Sequence, residues 1–475
     1  MSEYTMTING QPVSSTEVVK VVNPATGEVF AEAPDCSRDQ LDLAMQSSQE
    51  AFLDWKADLA RRREVMYACA AALEDAAEEL GRVATMEQGM PLSMGVGSVR
   101  RSAENFRVYA DLEVPRSVVQ DDEAALIEVV RRPIGVIAAI KPWNVPIGMA
   151  VNTIAPAFRA GCTVVLKPSP YTPLVTLKLG EALRGVVPNG VLNVVSGGDA
   201  LGQWMVEHPI PRGVSFTGSI ATGKQVNTSA APDLKRVLLE LGGNDAAIVL
   251  DDVEPEALAE KLFWRAFMNA GQICMAVKRV YVPESLHDAV VEALAAKARS
   301  VRVGNGLDEG VEMGPLNNRA QFERVQGLVA DAIADGASIA SGGHAKQGPG
   351  YFYEPTILTD VREGSRIVDE EQFGPVLPVL PYTSIAEAIE RANATNFGLG
   401  ASVWSGDPIR AAEVAEKLEA GTVWVNTHAA LGHDQPFQGV KWSGLGSENG
   451  LWSVYAYSDL QTVYRARSGP NTYVK

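Results

Sequence analysis

Three residues with chemically active side chains stand at the ends of predicted strands and helices. Cys274 follows a predicted helix and precedes the strand-like run VKRVYV, so it lies in a junction loop that a ligand can reach. Glu240 ends an apolar run, where a carboxylate is costly to bury unless it has a partner or a task. Asn144 lies just beyond the run GVIAAI, where open α/β sheets bind ligands. A thiol can act as a nucleophile and a carboxylate as a general base, although a single cysteine is more often a small buried apolar residue.

A glycine-containing loop suggests a second kind of site. No GxGxxG sequence follows any predicted strand, so the usual dinucleotide fingerprint is missing. The segment from Gly218 to Lys224 follows a strand-like run and approximates a nucleotide P-loop, but Gln225 stands where such a loop carries Ser or Thr for Mg²⁺. Two interpretations stay open, a simple tight turn and a helix N-terminus that offers free N–H groups to a pyrophosphate.

The elements that must hold these residues follow a clear alternation. From residue 135, short β-branched runs alternate with helical patterns, which is typical of βαβ units and a parallel sheet, and the alternation restarts after residue 240. We therefore predict two α/β domains that join near residues 241–244. Apolar spacing predicts two amphipathic helices, over residues 41–55 and 66–80. Residues 114–132 read as a hairpin, and the late strand DLQTVYR is expected to pair with it or with another subunit.

Length and composition narrow the functional class. A chain of 475 residues should form two or three domains. Its formal net charge of −17 opposes binding to nucleic acid or to an anionic membrane. Four dispersed cysteines and five histidines favour neither a disulfide framework nor a metal site. With no signal-like N-terminus and no apolar run near the roughly 18 residues of a membrane helix, we expect a cytoplasmic enzyme.

Seven short motifs carry a resemblance to the NAD(P)-dependent aldehyde dehydrogenase superfamily over nearly the whole chain. They occur in the order and near the spacing of that family: PWNVP at 142–146, KPS at 167–169, FTGS at 216–219, ELGG at 240–243, GQIC at 271–274, EQFGP at 371–375 and WVN at 424–426. The resemblance implies two Rossmann-like doubly wound parallel-sheet domains and a small β element for oligomerisation. The expected boundaries are 1–112 with 133–241 for the NAD(P)-binding domain, 242–443 for the catalytic domain, and 113–132 with 444–475 for the oligomerisation hairpin and tail.

The resemblance also implies a mechanism. Cys274 would attack the aldehyde and form a thiohemiacetal, whose oxyanion the Asn144 side-chain amide and the backbone N–H of Cys274 would hold. Loss of hydride would leave a thioester, which a water activated by Glu240 would hydrolyse to the acid. Glu448 matches a family position proposed to help relay the proton, and it reads equally well as a solvated surface acid.

For the cofactor, the resemblance implies NAD, and NADP is possible. The expected binding residues are Trp143, Lys167, Ser169, Gly218, Ser219, Gly223, Leu241, Gly242, Glu371 and Phe373. Many NAD-preferring relatives carry a glutamate three residues beyond this lysine, which repels a 2′-phosphate. Here Pro170 stands at that position, so the barrier to NADP is missing.

The substrate tunnel implied by the resemblance is mostly apolar and carries no obvious cationic clamp. Its expected lining is Val145, Met149, Asn152, Ile273, Met275, Leu431 and Phe437. We predict a preference for hydrophobic aliphatic or aromatic aldehydes over semialdehydes with a second carboxylate. Gln438 replaces a family glycine and is expected to narrow the entrance.

Other functions are weighed against this one. A CoA-acylating relative would pass the thioester to CoA, but such enzymes generally lack the base at Glu240. A non-catalytic structural protein on the same fold would not need Cys274, Glu240 and Asn144 together, and a P-loop NTPase is the remaining outsider. The expected partners are a small-molecule aldehyde and further copies of the chain, in a homodimer or homotetramer, with no nucleic acid, membrane or metal.

Overall fold

The computed structural model describes residues 4–467, and its N-terminal part contains strands that the sequence did not predict. The elements are β1 (Met6–Ile8), β2 (Gln11–Val13), β3 (Val18–Asn23), β4 (Glu28–Pro34), α1 (Arg38–Trp55), α2 (Leu59–Asp75), α3 (Ala77–Gln88) and α4 (Leu92–Asp111). The prediction of two helices in this part, over 41–55 and 66–80, is therefore wrong, because the structure has four. Helix α1 matches the first predicted helix, whereas the second is divided between α2 and α3. The split falls at Ala76, whose φ of −91° and ψ of 3° interrupt the helix. The strands β1 and β2 are only three residues long and too short to show an alternating pattern.

The remaining elements follow the predicted alternation. A hairpin and the first α/β unit contain β5 (Ser117–Asp121), β6 (Ala125–Pro133), β7 (Val136–Ile140), α5 (Pro146–Ala160), β8 (Thr163–Lys167), α6 (Leu174–Ala182), β9 (Leu192–Val194), α7 (Asp199–Glu207), β10 (Gly213–Thr217), α8 (Ile220–Ala230) and β11 (Arg236–Glu240). The second unit contains β12 (Asp245–Val249), α9 (Pro255–Phe267), β13 (Val277–Pro283), α10 (His287–Ser300), α11 (Arg319–Ala334), β14 (Ser338–Ser341), β15 (Thr356–Thr359), α12 (Arg366–Asp369), β16 (Val376–Tyr382), α13 (Ile385–Asn393), β17 (Gly400–Trp404), α14 (Pro408–Ala415) and β18 (Thr422–Val425). The chain continues through β19 (Gly444–Leu445), α15 (Gly450–Ala456) and β20 (Ser458–Ala466).

The larger sheet has the strand order β19-β11-β10-β7-β8-β9-β1-β2. Its five central strands are parallel, as predicted, whereas β1, β2 and β19 are antiparallel additions at the two edges. Strands β7 and β8 are buried along their whole length, as expected for strands covered by helices on both faces. Chain order reverses between β7 and β10, which opens a crevice at their carboxyl ends. The segments carrying Asn144 and Ser219 leave the sheet at this crevice.

The second sheet has the order β14-β15-β16-β13-β12-β17-β18, with every pair parallel except β14 with β15. Two α/β units in succession are therefore confirmed. Strand β11 of the larger sheet ends at Glu240 and strand β12 of the second sheet begins at Asp245, so residues 241–244 connect the two sheets. No helix within residues 4–467 is long and apolar enough to cross a bilayer.

A separate three-stranded sheet has the order β20-β6-β5. The predicted hairpin is confirmed, and the late strand pairs with it along nine residues, from Ser458 opposite Pro133 to Ala466 opposite Ala125. The domain boundaries given above stay a prediction, and their outermost parts, 1–3 and 468–475, lie outside the described residues. The segment from residue 444 onward, which was expected to form only the oligomerisation tail, first contributes β19 to the larger sheet and then β20 to the three-stranded sheet.

Candidate active site

The three residues from which the sequence analysis started line one cavity of about 1370 Å³. Asn144 follows β7, Glu240 is the last residue of β11, and Cys274 lies just before β13. The first two sit at carboxyl ends of parallel strands in the larger sheet, while Cys274 comes from the second α/β unit. The cavity therefore lies between the two units, a common place for a ligand site.

Cys274 lies in a loop with an unusual backbone. Asn269, Ala270 and Gly271 all have positive φ, of 54°, 55° and 72°. Buried Gln272 holds the turn, since its Nε2 donates to Asn269 O at 2.9 Å and its Oε1 accepts from the backbone N–H of Asn317 at 2.8 Å. Cys274 is half-buried at the cavity, whereas the other three cysteines are fully covered. Burial raises the pKa of Cys274 to about 12, and three nearby carboxylates add to the rise while Lys278 lowers it.

Asn144 is 5% exposed and is fixed by contacts with the same loop. Its Nδ2 donates to Gln272 O at 2.8 Å, and its backbone carbonyl accepts from Asn269 Nδ2 at 3.0 Å. A side-chain amide carries two N–H groups, so one remains for a ligand. The Oδ1 atom of Asn144 has no hydrogen-bond partner in the described part of the chain.

Glu240 and Glu448 form a buried acidic pair beside Lys141. Both carboxyl oxygens of Glu240 lack a hydrogen-bond partner among residues 4–467. Burial raises the pKa of Glu240 well above its usual range, Glu448 raises it further, and Lys141 lowers it. Burial also raises the pKa of Glu448, so the interpretation of this residue as a solvated surface acid is wrong. The Nζ atom of Lys141 donates to Ser215 Oγ at 2.9 Å and to Thr217 Oγ1 at 3.2 Å.

Another carboxylate at the cavity, that of Glu371, lies against the backbone of residues 242 and 243. Glu371 accepts from the backbone N–H of Gly243 at 3.2 Å, and a Cβ atom at Gly242 would lie 2.3 Å from Glu371 Oε2. Burial raises the pKa of Glu371 to about 7, opposed by Lys278 and by the Gly243 N–H. Nearby, the rings of Trp143 and Phe373 meet edge to face at a centroid distance of 5.3 Å.

The loop that resembled a P-loop ends at the N-terminus of α8. Ser219 is the N-cap residue, because its Oγ accepts from the backbone N–H of Thr222 at 3.2 Å. Gly218 and Ser219 line the cavity, so the first N–H groups of α8 open toward it. Lys224 does not reach back over this loop as a P-loop lysine does, since its Nζ lies 3.5 Å from the ring centroid of Trp442.

Three of the expected cofactor residues do not line the cavity. Lys167 is 3% exposed at the end of β8, and its Nζ donates to Pro168 O at 3.2 Å. Burial lowers the pKa of Lys167 to about 8. Ser169 Oγ accepts from the backbone N–H of Tyr171, and Gly223 faces Leu241, whose side chain a Cβ would meet at 2.5 Å. Their assignment to the cofactor stays a prediction.

All seven expected substrate-pocket residues line the cavity: Val145, Met149, Asn152, Ile273, Met275, Leu431 and Phe437. Helix α4 contributes a further wall that the sequence analysis missed. Asn105 Nδ2 donates to Asn152 Oδ1 at 2.9 Å, and Arg101 stands one turn earlier on the same helix face at the exposed rim. The signal for this wall was the amphipathic pattern of α4, but only packing shows that one face borders a cavity.

Lys141 is another residue that the sequence analysis did not single out. It follows β7 directly, just as Lys167 ends β8 and Glu240 ends β11. The strand-end argument that selected those two residues applies equally to Lys141, so this residue could have been found. Its proximity to both acidic side chains depends on the strand order β11-β10-β7, which the sequence does not reveal.

Comparisons with known proteins agree with this architecture. Residues 12–463 match the family model described as the aldehyde dehydrogenase family. A phenylacetaldehyde dehydrogenase of Pseudomonas fluorescens is 38% identical, covering 97% of this chain and 95% of the relative. An NADP⁺ succinate-semialdehyde dehydrogenase of Escherichia coli is 37% identical, covering 96% of each. The NAD⁺ complex of a Bacillus cereus aldehyde dehydrogenase superposes with a TM-score of 0.95 at 35% identity, covering 98% of this chain and 97% of that one.

Proposed function

The chain belongs to the aldehyde dehydrogenase family, and on that premise we propose that it oxidises hydrophobic aliphatic or aromatic aldehydes to carboxylic acids with NAD(P)⁺. The observation that carries the proposal is the meeting of Cys274, Asn144 and Glu240 around one largely apolar cavity. These three residues provide a nucleophile, an oxyanion donor and a general base. Each has a position that matches its role.

The nucleophile is Cys274. Its sulfur bonds to the aldehyde carbon, the carbonyl π electrons move to oxygen, and a tetrahedral thiohemiacetal forms. Because burial raises the pKa of Cys274 to about 12, the thiol proton must be removed before or during the attack. Glu240 lines the same cavity, and neither of its carboxyl oxygens has a hydrogen-bond partner among the residues that the structure describes, so Glu240 is well placed to take that proton.

The oxyanion is held by Asn144 and by the backbone of the nucleophile. One N–H of the Asn144 amide already binds Gln272 O, which fixes the plane of the amide and leaves the other N–H for the substrate. The backbone N–H of Cys274 has no acceptor among residues 4–467. Two such preorganised donors favour the tetrahedral species over the planar aldehyde, and one is worth about 3–4 kcal/mol in comparable enzymes.

The cavity also fits a dinucleotide. The free first-turn N–H groups of α8, with Gly218 and Ser219 at the cavity wall, suit a pyrophosphate. Glu371 offers carboxylate oxygens for ribose hydroxyls, and a side chain at Gly242 would collide with it. A bound NAD(P)⁺ would supply the acceptor for the hydride that leaves the thiohemiacetal carbon. Without a glutamate at position 170, we expect both NAD⁺ and NADP⁺ to bind.

Release of the acid requires water. Glu240 takes a proton from a water molecule that attacks the thioester carbon, and the carbon–sulfur bond breaks with Cys274 as the leaving group. Glu448 and Lys141 lie close enough to shift the pKa of Glu240, so we propose the Glu448 carboxylate as the next acceptor for that proton, while the Lys141 cation stabilises the ionised form of both carboxyl groups. A retained base favours hydrolysis over transfer to CoA.

The substrate class rests on the cavity wall, because relatives that act on different aldehydes have nearly equal identity to this chain. Six of the seven expected pocket residues are apolar, which favours an aliphatic or aromatic body. The seventh, Asn152, already accepts a hydrogen bond from Asn105. The alternative is a substrate with a second carboxylate, which the cation of Arg101 at the cavity rim would bind.

A panel of aldehydes tests the proposal. Phenylacetaldehyde, hexanal and succinate semialdehyde are compared by reduced-nicotinamide absorbance with NAD⁺ and with NADP⁺, with and without CoA. We expect kcat/KM for the two apolar aldehydes to exceed that for the semialdehyde by about tenfold or more, since one missing apolar contact is worth about 1–3 kcal/mol. Equal values, or a semialdehyde preference that Arg101→Met abolishes, would overturn the substrate class. Full activity in Cys274→Ser would overturn the mechanism.

We also propose a homo-oligomer in a reducing, cytoplasmic environment. The free thiols of all four cysteines suit such an environment. The three-stranded sheet leaves β5 as an edge strand with exposed Val118 and Val119, a feature that proteins usually cover.

A further inference from the structure

A buried lysine donates hydrogen bonds to the backbone carbonyl groups of the loop that carries Cys274. Lys278 lies in β13 and is only 1% exposed. Its Nζ donates to Ile273 O at 2.6 Å, to Cys274 O at 3.2 Å and to Ala276 O at 3.3 Å. All three ammonium donors are thus used on carbonyl groups of the nucleophile loop, and these carbonyl groups belong to residues no more than two positions from Cys274.

A buried histidine holds the one carbonyl that Lys278 leaves. The Nε2 atom of His428 lies 2.9 Å from Met275 O, and because a carbonyl only accepts, Nε2 must donate. Asp245 Oδ2 lies 3.4 Å from the same nitrogen, and both side chains are fully buried. The His428 ring packs against Trp424 at a centroid distance of 4.7 Å. Four successive carbonyl groups, from residue 273 to residue 276, are therefore fixed by two side chains.

A structural role alone does not explain the lysine. Burying an ammonium group is costly, and no carboxylate in the described part of the chain lies within ion-pair distance of Lys278. An apolar side chain of similar length would avoid the cost of burying a charge, but it would leave the three carbonyl groups without this donor. The cation also offsets a cluster of negative charge. Glu371, Glu240 and Asp245 all face Cys274 and raise its pKa, while Lys278 lowers it.

We propose that Lys278 and His428 are positioning residues that clamp the Ile273–Ala276 loop, aim Cys274 Sγ into the cavity and, through the charge of Lys278, favour the thiolate. This inference rests on the proposed role of Cys274 as the nucleophile. Thiolate formation moves one proton from Sγ to solvent or to Glu240, with no change of oxidation state. Neither Lys278 nor His428 lines the cavity, so both residues act through the loop.

The charge of Lys278 is tested by the reactivity of the thiol. Iodoacetamide alkylation of Cys274 in the full chain is followed by peptide mass spectrometry across the alkaline pH range. In Lys278→Met the pH midpoint should rise by about one unit, which lowers the alkylation rate at neutral pH about tenfold. Lys278→Arg keeps a cation with several donors and should recover most of the rate. An unchanged midpoint in a folded Lys278→Met variant overturns the charge effect.

The positioning role of His428 is tested by steady-state kinetics. His428→Phe removes the donor to Met275 O and keeps an aromatic ring of similar size. We expect kcat to fall about tenfold. The KM for aldehyde and the affinity for NAD⁺, which is measured by fluorescence quenching, should both stay the same. His428→Gln keeps an N–H donor and should restore much of kcat. A fall in thermal stability with kcat unchanged would show a structural role and overturn the positioning role.

The two proposals fail in distinguishable ways. If Cys274→Ser keeps full activity, the proposed mechanism fails and the clamp has no nucleophile to position. If Cys274→Ser is inactive but both the alkylation profile of Lys278→Met and kcat of His428→Phe match the parent enzyme, only the clamp is overturned. Should Lys278→Met not fold, the His428 pair, which leaves the buried lysine in place, decides the positioning role.

Discussion

At the scale of single residues, the cavity concentrates negative charge where a base is needed. Glu240 is buried, its carboxyl oxygens have no hydrogen-bond partner in the described part of the chain, and Glu448 and Lys141 lie close by. Burial and the neighbouring Glu448 raise the pKa of Glu240 above its usual range, and only the ionised form of this carboxyl can accept a proton from water. The rate of thioester hydrolysis should therefore increase as pH rises through the pKa of Glu240.

Replacement of Glu240 tests this directly. In Glu240→Gln we expect kcat to fall about a hundredfold or more, because general-base catalysis typically contributes that much. The rise of kcat with pH should flatten, and a burst of one reduced cofactor per site should remain if thioester hydrolysis has become limiting. Steady-state and stopped-flow absorbance across pH measure these outcomes. Glu448→Gln is the matched control with a smaller expected loss, and an equal loss in both would contradict a special role for Glu240.

At the scale of elements, the nucleophile loop depends on a glycine with a left-handed backbone. Gly271 has a φ of +72°, and a Cβ atom there would lie 2.2 Å from the backbone carbonyl of Gly374. The segment around Gly374 is itself part of the cavity wall through Phe373. A side chain at Gly271 would therefore strain the loop and push apart the two segments that carry Cys274 and the predicted cofactor residues.

Gly271→Ala should lower both stability and activity. We expect the free energy of unfolding to fall by more than about 1–2 kcal/mol from the left-handed conformation alone, and kcat to fall at least about tenfold as Cys274 moves. Gly327→Ala is the matched control, because this glycine lies in α11 with no atom within 4 Å of the added Cβ. It should stabilise the protein by up to about 1 kcal/mol with unchanged kcat. Denaturant unfolding and initial rates measure both, and a neutral Gly271→Ala would contradict the argument.

At the scale of the whole molecule, the three-stranded sheet exposes large apolar side chains on both of its edge strands, β5 and β20. Val119 is 66% exposed on β5, and Leu460 and Tyr464 are each 63% exposed on β20. Strands with free edges and exposed apolar side chains are normally covered by another chain. We expect copies of this chain to meet at this sheet, at a distance from the cavity.

Val119→Asp tests that assembly. A charge on the edge strand should oppose pairing, so the mass measured by light scattering should fall to that of a smaller species while aldehyde oxidation per chain is largely retained. Ile409→Asp is the matched control, because Ile409 is 74% exposed on α14, away from the small sheet. An unchanged mass for Val119→Asp, or an equal drop for both variants, would contradict assembly through β5.

The sequence by itself determined the family, the two parallel-sheet units and the three candidate catalytic residues. Motif order, strand-end position and βαβ alternation are local signals, and they were sufficient for Cys274, Glu240 and Asn144. The hairpin was also predictable from the sequence. In the structure, its turn residue Asp122 accepts hydrogen bonds from the backbone N–H groups of the two residues that follow Glu123.

Tertiary structure alone decided the surroundings of those residues. The edge strands β1, β2 and β19 are two or three residues long and have no period to detect, because distant partners complete them. Lys278 and His428 lie far apart in sequence from one another, and only folding places both beneath the nucleophile loop. The pKa of a thiol or carboxylate depends on burial and on neighbouring charges, which are properties of the packed molecule. The sequence thus identifies the reacting groups, and the fold determines how reactive they are.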